Sequence, residues 1–168
     1  MATTPLAGKI VVSIVSTVVQ VSPPAWHIEY DVRNTSDATI WLVIDESLVF
    51  REEGDRIELS FARGRMQPAA HPFGYFDPTV VAIATGQRRR QSVDITWPSR
   101  LSDLWNDRRE ARPSPGEYDV SVRVGFAPTR SPPAPKAGEG VETPVLRWQE
   151  EAVSPPVRLT IPPYSSRP

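Results

Sequence analysis

Proline recurs throughout this sequence and restricts what the chain can build. Nineteen of the 168 residues are proline. A proline inside a helix lacks the backbone N–H that the helical hydrogen-bond ladder needs, and its ring collides with the preceding turn. The proline content therefore disfavours long helices and favours short strands joined by turns.

Two segments alternate apolar and polar residues, which is the period of a strand with one buried face. In residues 26–33, every second side chain from Trp26 onwards is apolar, and residues 118–126 repeat the pattern from Tyr118 onwards. We expect the apolar sides of the two segments to form the facing halves of one core. That core would contain Trp26, Ile28, Tyr30, Val32, Tyr118, Val120, Val122, Val124 and Phe126.

Shorter apolar runs between turn residues predict further strands. Asn34-Thr35-Ser36-Asp37 and Glu53-Gly54-Asp55 carry the residue types that favour turns. Eight or nine strands with such turns indicate a single all-β domain over residues 1–168, built as an antiparallel two-sheet sandwich. A closed barrel is the alternative. The further strands lie near residues 9–21, 39–44, 56–62, 79–84, 90–97, 145–150 and 157–161.

Two segments depart from this pattern. Residues 101–112 place Leu101, Leu104 and Trp105 at helical spacing, which predicts one short helix there. Residues 127–140 are rich in proline and glycine and hold hardly any large apolar side chain. Such a segment has little to anchor it in a core, so we expect a mobile loop at 127–140.

Three stretches resemble immunoglobulin-like sandwich domains: residues 30–36, residues 86–97, and the Pro115-Gly116-Glu117-Tyr118 entry into a core strand. The resemblance implies a fold and no task. The antibody-type disulfide cannot form, because the chain has no cysteine. The order of features is also similar to that of bacterial intracellular proteinase inhibitors, but no inhibitory motif matches, so no residue roles are transferred.

The number and spacing of the potentially catalytic residues argue against catalysis. His27 and His71 are the two histidines, they are far apart in sequence, and no serine lies in a glycine-flanked elbow. The sequence contains no calcium-type acidic loop and no phosphate-binding glycine motif. We therefore predict no catalytic, cofactor-binding or metal-binding residues. An enzyme site assembled from Asp, Glu and Arg is an alternative that a sequence does not reveal.

Two groups of residues are candidate contacts for a partner. Arg88, Arg89 and Arg90 could bind an acidic surface, or could protect an edge strand from aggregation. His71, Phe73, Tyr75 and Phe76 lie between prolines, and they could present aromatic anchors or plug one end of the sandwich.

These observations predict a non-catalytic protein-binding or assembly module, with a protein partner or self-association. The alternative is a protease inhibitor that uses the loop at 127–140. The net charge of −1 and the lack of a stacking platform beside the arginines argue against nucleic acid. Polar residues interrupt the apolar run 10–21, which favours a strand over a signal peptide or membrane span. Together with the absence of cysteine, this predicts a cytoplasmic location.

Overall fold

The computed structural model describes residues 10–44, 48–62, 78–101, 109–134, 136–139 and 143–164. These residues form an all-β sandwich with one short helix, as the sequence predicts. The elements in chain order are β1 (Ile10–Val21), β2 (Pro24–Asn34), β3 (Ile40–Val43), β4 (Val49–Glu53), β5 (Arg56–Ser60), β6 (Val80–Ile83), β7 (Arg88–Thr96), β8 (Ser99–Leu101), β9 (Arg109–Ala111), β10 (Gly116–Ala127), α1 (Thr143–Trp148), β11 (Glu150–Val153) and β12 (Val157–Ile161).

Two sheets form the layers of the sandwich. Sheet I is antiparallel and has the order β1-β2-β7. Sheet II has the order β4-β5-β10-β3-β6, and β11 and β12 also pair with β10. A separate ribbon joins β8 to β9. The described residues thus contain more strands than the eight or nine predicted, and the β5–β10 pair is parallel where an antiparallel sandwich was expected.

Strand β10 is the centre of sheet II, and one of its edges is shared by β11 and β12. Ser154 fills the gap between these two strands. Its N–H donates to the Val122 carbonyl at 2.8 Å, and its hydroxyl accepts from the Val122 N–H at 3.0 Å. Pro155 and Pro156 follow and have no N–H to donate, so the pairing resumes only at Val157. One serine thereby keeps the hydrogen bonding of β10 continuous.

The predicted core is confirmed. All nine residues from the alternating segments, now in β2 and β10, are buried and belong to one hydrophobic cluster between the sheets. The Trp26 indole N–H donates to the Thr160 carbonyl at 2.8 Å, which ties sheet I to β12 of sheet II. Alternation in the sequence therefore corresponds to one buried face on each of the two strands.

The helix that the structure describes lies outside the segment 101–112 for which the sequence predicts one. The described ends of segment 101–112 lie in the β8–β9 ribbon, and residues 102–108 lie outside the described part. Helix α1 occupies most of the segment 145–150, where the sequence predicts a strand; that prediction is wrong, because β11 begins only at Glu150. Pro144 suits a first helical turn, and Val145 and Trp148 are three residues apart, so both reach one buried face. In residues 143–148, the helical spacing of Val145 and Trp148 therefore decides the structure.

Several contacts join α1 to the described residues of segment 127–140. The Trp148 indole N–H donates to the Thr129 carbonyl at 3.0 Å, and the Arg147 guanidinium pairs with Glu139. Arg130 stands over the Trp41 ring, 5.9 Å from its centroid. Ala127 itself is the buried end of β10. The mobility of the remaining loop stays a prediction.

Candidate protein-contact surface

The structure separates the three consecutive arginines predicted as contacts. Strand β7 pairs with β2 alone among the described strands, so Arg88, Arg89 and Arg90 begin an edge strand of sheet I. Arg89 lies opposite Val32, on the face that turns towards the core, although its own side chain is exposed. Arg88 and Arg90 lie on the outer face. Arg88 and Arg90 can therefore contact the same partner surface, and Arg89 lies on the other face of the strand.

Arg90 is held by a carboxylate of the neighbouring strand. Asp31 lies opposite it, and its two carboxylate oxygens accept from the Arg90 guanidinium at 2.9 and 3.2 Å. Arg88 reaches the same carboxylate at 3.5 Å and is more exposed. The hydrogen bond from Arg90 lowers the pKa of Asp31 below its ordinary value, and the charge of Arg88 adds to the effect. Arg90 therefore holds Asp31 through two hydrogen bonds, whereas Arg88 makes one longer contact with it and keeps most of its side chain exposed.

A shallow groove of about 930 Å³ lies beside Asp31 and Arg88 on the outer face of sheet I. We call it the sheet I groove. Val11 and Val15 of β1 supply exposed apolar walls, and Arg33 and Arg88 supply guanidiniums. Arg33 has no ion pair with any described residue. The groove combines apolar surface with positive charge, and its full lining is Val11, Ser13, Val15, Asp31, Arg33, Gly86, Gln87 and Arg88.

One end of the sheet I groove is formed by the turn before β7. Gly86 adopts φ +74°, a left-handed conformation that glycine takes without strain. Its N–H donates to the Asn34 carbonyl at 2.9 Å, and the Asn34 N–H donates to the Gln87 carbonyl at 3.0 Å. Arg33 precedes Asn34, and Arg88 follows Gln87. The two hydrogen bonds therefore hold the backbones of Arg33 and Arg88 opposite each other.

Sheet II carries a second groove of about 520 Å³ on its outer face, but its charges largely satisfy one another. Arg123 makes two hydrogen bonds to Glu58, at 2.9 and 2.7 Å, and one to Glu151 at 2.7 Å. Arg51 lies 3.6 Å from the same Glu58. These pairs raise the pKa of the Arg123 guanidinium and leave few charges in this groove for a partner. Arg56 and Glu53 are exceptions, since no described group of opposite charge lies within ion-pair distance of either.

His27, one of the two histidines of the sequence, forms an exposed pair with Asp94. Their side chains share a hydrogen bond of 2.7 Å across β2 and β7. A histidine–carboxylate pair can activate a nucleophile, but neither residue lines the grooves of sheets I and II. Over the described ranges, no three His, Cys, Asp or Glu side chains converge as metal ligands. In that same part of the chain, no helix has the length and apolarity to cross a bilayer.

Part of the predicted contact site is not tested by the structure. His71, Phe73, Tyr75 and Phe76 lie outside the described residues, so their role as contact or plug stays a prediction. Sequence reasoning did not find Val11, Val15, Asp31 or Arg33. The distribution of charge was the one sequence feature that could have pointed to them. Residues 10–21 hold no charged side chain, and Arg33 is a charged residue at the end of the alternating segment 26–33. Neither feature reveals that the two strands are neighbours.

No family model, curated protein or solved structure matches this chain. The immunoglobulin-like resemblance therefore remains a prediction, and the candidate surface is defined by its own geometry alone.

Proposed function

We propose that this protein is a non-catalytic protein-binding or assembly module whose contact surface is the sheet I groove. The observation that carries the proposal is the combination of exposed valines with Arg33 and Arg88 in one groove on a rigid sheet. Apolar anchors next to arginine are typical of the residues that dominate protein interfaces. The matching partner surface would present an apolar side chain flanked by carboxylates.

Two further observations support the wider proposal. The Tyr118 hydroxyl donates to the Ser114 carbonyl at 2.9 Å, four residues upstream, as the tyrosine corner of immunoglobulin-like sandwiches does. This favours the immunoglobulin-like topology, a scaffold common among binding domains. A chain without cysteine also suits a reducing compartment, so a cytoplasmic location belongs to the proposal.

A protease inhibitor is the second candidate, because part of the loop at 127–140 is anchored. An inhibitory loop gains affinity when it is held in one conformation before binding. The bonds from Trp148 to Thr129 and from Arg147 to Glu139 provide such an anchor. Inhibition of a protease, with the loop protected from cleavage in the complex, would favour this function over the groove.

The test of the groove uses three matched arginine variants. A partner is first captured by cross-linking in the source cell, and its affinity is then measured for each purified variant. Arg33→Ala and Arg88→Ala should each weaken binding by about 5- to 30-fold, the range of an interface anchor. Arg56→Ala, an exposed arginine on sheet II, is the control and should bind as the unmodified chain does. Arg90 is left out because its loss would expose Asp31.

Equal binding by all three variants would reject the sheet I groove as the contact surface. Thermal melts of the same variants should coincide with that of the unmodified chain, since exposed charge changes rarely alter stability by more than about 0.5 kcal/mol. A reproducible turnover that is lost on replacing His27 or Asp94 would instead reject the non-catalytic function.

A further inference from the structure

The edge strands of this sandwich differ in how well they are protected against pairing with another chain. An exposed strand edge pairs readily with another chain unless charge, proline, shortness or a bulge prevents it. Strand β7 carries three arginines and Asp94, and β4 carries Arg51, Glu52 and Glu53. Strand β6 has only four residues. Strand β1, by contrast, runs for 12 residues, from Ile10 to Val21, without a charge or a proline.

Exposed apolar side chains concentrate on this same strand. Within the described residues, β1 holds five of the seven large apolar side chains that are exposed. The register of β1 against β2 shifts between Ile14 and Ser16, which marks a bulge. Beyond the bulge, the strand is exposed on both faces: Val18 is 57% exposed on the outer face, and Val21 is 67% exposed on the other.

A bulge can twist an edge away from partners, but this one leaves a regular stretch after it. Ser16 to Val21 pairs with Glu29 to Pro24 in unbroken register, so only one side of these six residues is occupied. Among the described strands, β1 pairs with β2 alone, and its approach to β10, β11 and β12 involves no strand pairing. Every second backbone N–H and carbonyl along the stretch therefore points away from β2 and can accept a new strand.

We propose that the free edge of β1 binds β1 of a second copy of this chain, antiparallel, so that two copies of sheet I become one six-stranded sheet. The occupant must be extended, uncharged and rich in β-branched residues, and β1 itself has this chemistry. Pairing β1 with itself opposes no like charges, and valine and threonine pairs stabilise antiparallel strands. A two-fold axis also makes the contact self-complementary, as in most homodimers.

The size of the contact predicts a weak dimer. Six residues in regular register, at about 3.4 Å per residue and with a sheet thickness of about 10 Å, give a strip of roughly 200 Å² on each copy. A stable interface covers about 800 Å² on each partner. The dimer should therefore dissociate on dilution, with monomer and dimer in exchange.

Sedimentation equilibrium of the purified full chain tests the dimer, over concentrations from about 1 µM to about 1 mM. The unmodified chain should approach twice the monomer mass at the upper end. Thr17→Lys, which puts a charge on the free edge, should remain monomeric throughout. Thr96→Lys is the matched control, because Thr96 is an exposed threonine on the opposite edge strand β7, and it should dimerise normally.

Gln20→Lys is the second edge variant, in case the first one fails to fold; Gln20 is already polar and exposed. A chain that is monomeric at every concentration would overturn the dimer, as would a dimer that both edge variants retain. Partner binding that depends on Arg33 and Arg88 but not on Thr17, in a monomeric chain, would overturn the dimer and leave the proposed function intact. If the chain is monomeric and Thr17→Lys loses partner binding, the edge of β1 binds a strand of another protein. That result would also overturn the dimer.

Discussion

Asn34 illustrates how one buried amide can hold two distant turns together. Its side-chain N–H groups donate to the carbonyls of Ala38 at 2.7 Å and Ile83 at 2.8 Å. Its side-chain oxygen accepts from the Ser36 N–H at 2.9 Å and from the Ser36 hydroxyl. The amide therefore fixes both the turn after β2 and the end of β6, next to the sheet I groove.

Replacing Asn34 with alanine should destabilise the fold by about 2–4 kcal/mol. The change removes the side-chain donor to the buried Ile83 carbonyl and the acceptor of the buried Ser36 N–H, and each unsatisfied group costs about 1–3 kcal/mol. Denaturant unfolding measures the difference. Thr85→Ala, at an exposed position in the nearby turn, should change stability by less than about 0.5 kcal/mol. Equal effects of the two substitutions would show that the amide network contributes nothing.

Asp31 should make the stability depend on pH in the acid range. Its folded pKa is lowered by the hydrogen bond from Arg90, so its contribution is present above the unfolded value of about 3.9 and is lost as the pH falls through the folded value. Asp31→Asn should therefore melt below the unmodified chain at pH 7, and the gap should close in acid. A gap that stays constant from pH 7 to about pH 2 would contradict this coupling.

At the level of single residues, sequence reasoning succeeds for local effects and fails for cross-strand effects. The turn at Asn34 follows from local side-chain chemistry. Its bond to Ile83 could not be predicted, because the strand carrying Ile83 becomes a neighbour only in the folded sheet. Asp31 and Arg90 are likewise 59 residues apart and meet through the β2–β7 register.

At the level of elements, β10 pairs with more strands than any other described strand does. It pairs with β3, β5, β11 and β12, and Val122 lies fully buried at its centre. Val122→Ala should cost about 1–3 kcal/mol, because it removes buried methyl groups and leaves a small cavity. Val153→Ala is the control in the adjoining strand, where the side chain is 42% exposed, and it should cost less than about 0.5 kcal/mol.

Elements with a clear period were predictable, and short elements were not. Strands β2 and β10 alternate over eight and nine residues, so their buried faces could be named in advance. Helix α1 has six residues, and the apolar ones fit a strand as well as a helix. Packing of Val145 and Trp148 against Val43 and Ala127 decides in favour of the helix, and those contacts are not local in sequence.

At the level of the whole molecule, the two outer faces differ in what they offer a partner. Sheet II presents charges that pair with one another, as Arg123 does with Glu58 and Glu151. Sheet I presents the groove with Arg33 and Arg88, bordered by an uncharged edge strand. Composition could not predict this asymmetry, because the net charge of −1 is nearly balanced and the difference arises from which strands become neighbours.

The most direct measurement is hydrogen–deuterium exchange of the chain, free and bound to its captured partner. If the sheet I groove is the contact surface, binding should slow amide exchange in residues 11–15 and in the turn at residues 86–88. Residues 56–58 and 121–123, at the sheet II groove, should exchange as in the free chain. Protection at the sheet II groove with no change at residues 11–15 and 86–88 would contradict the account.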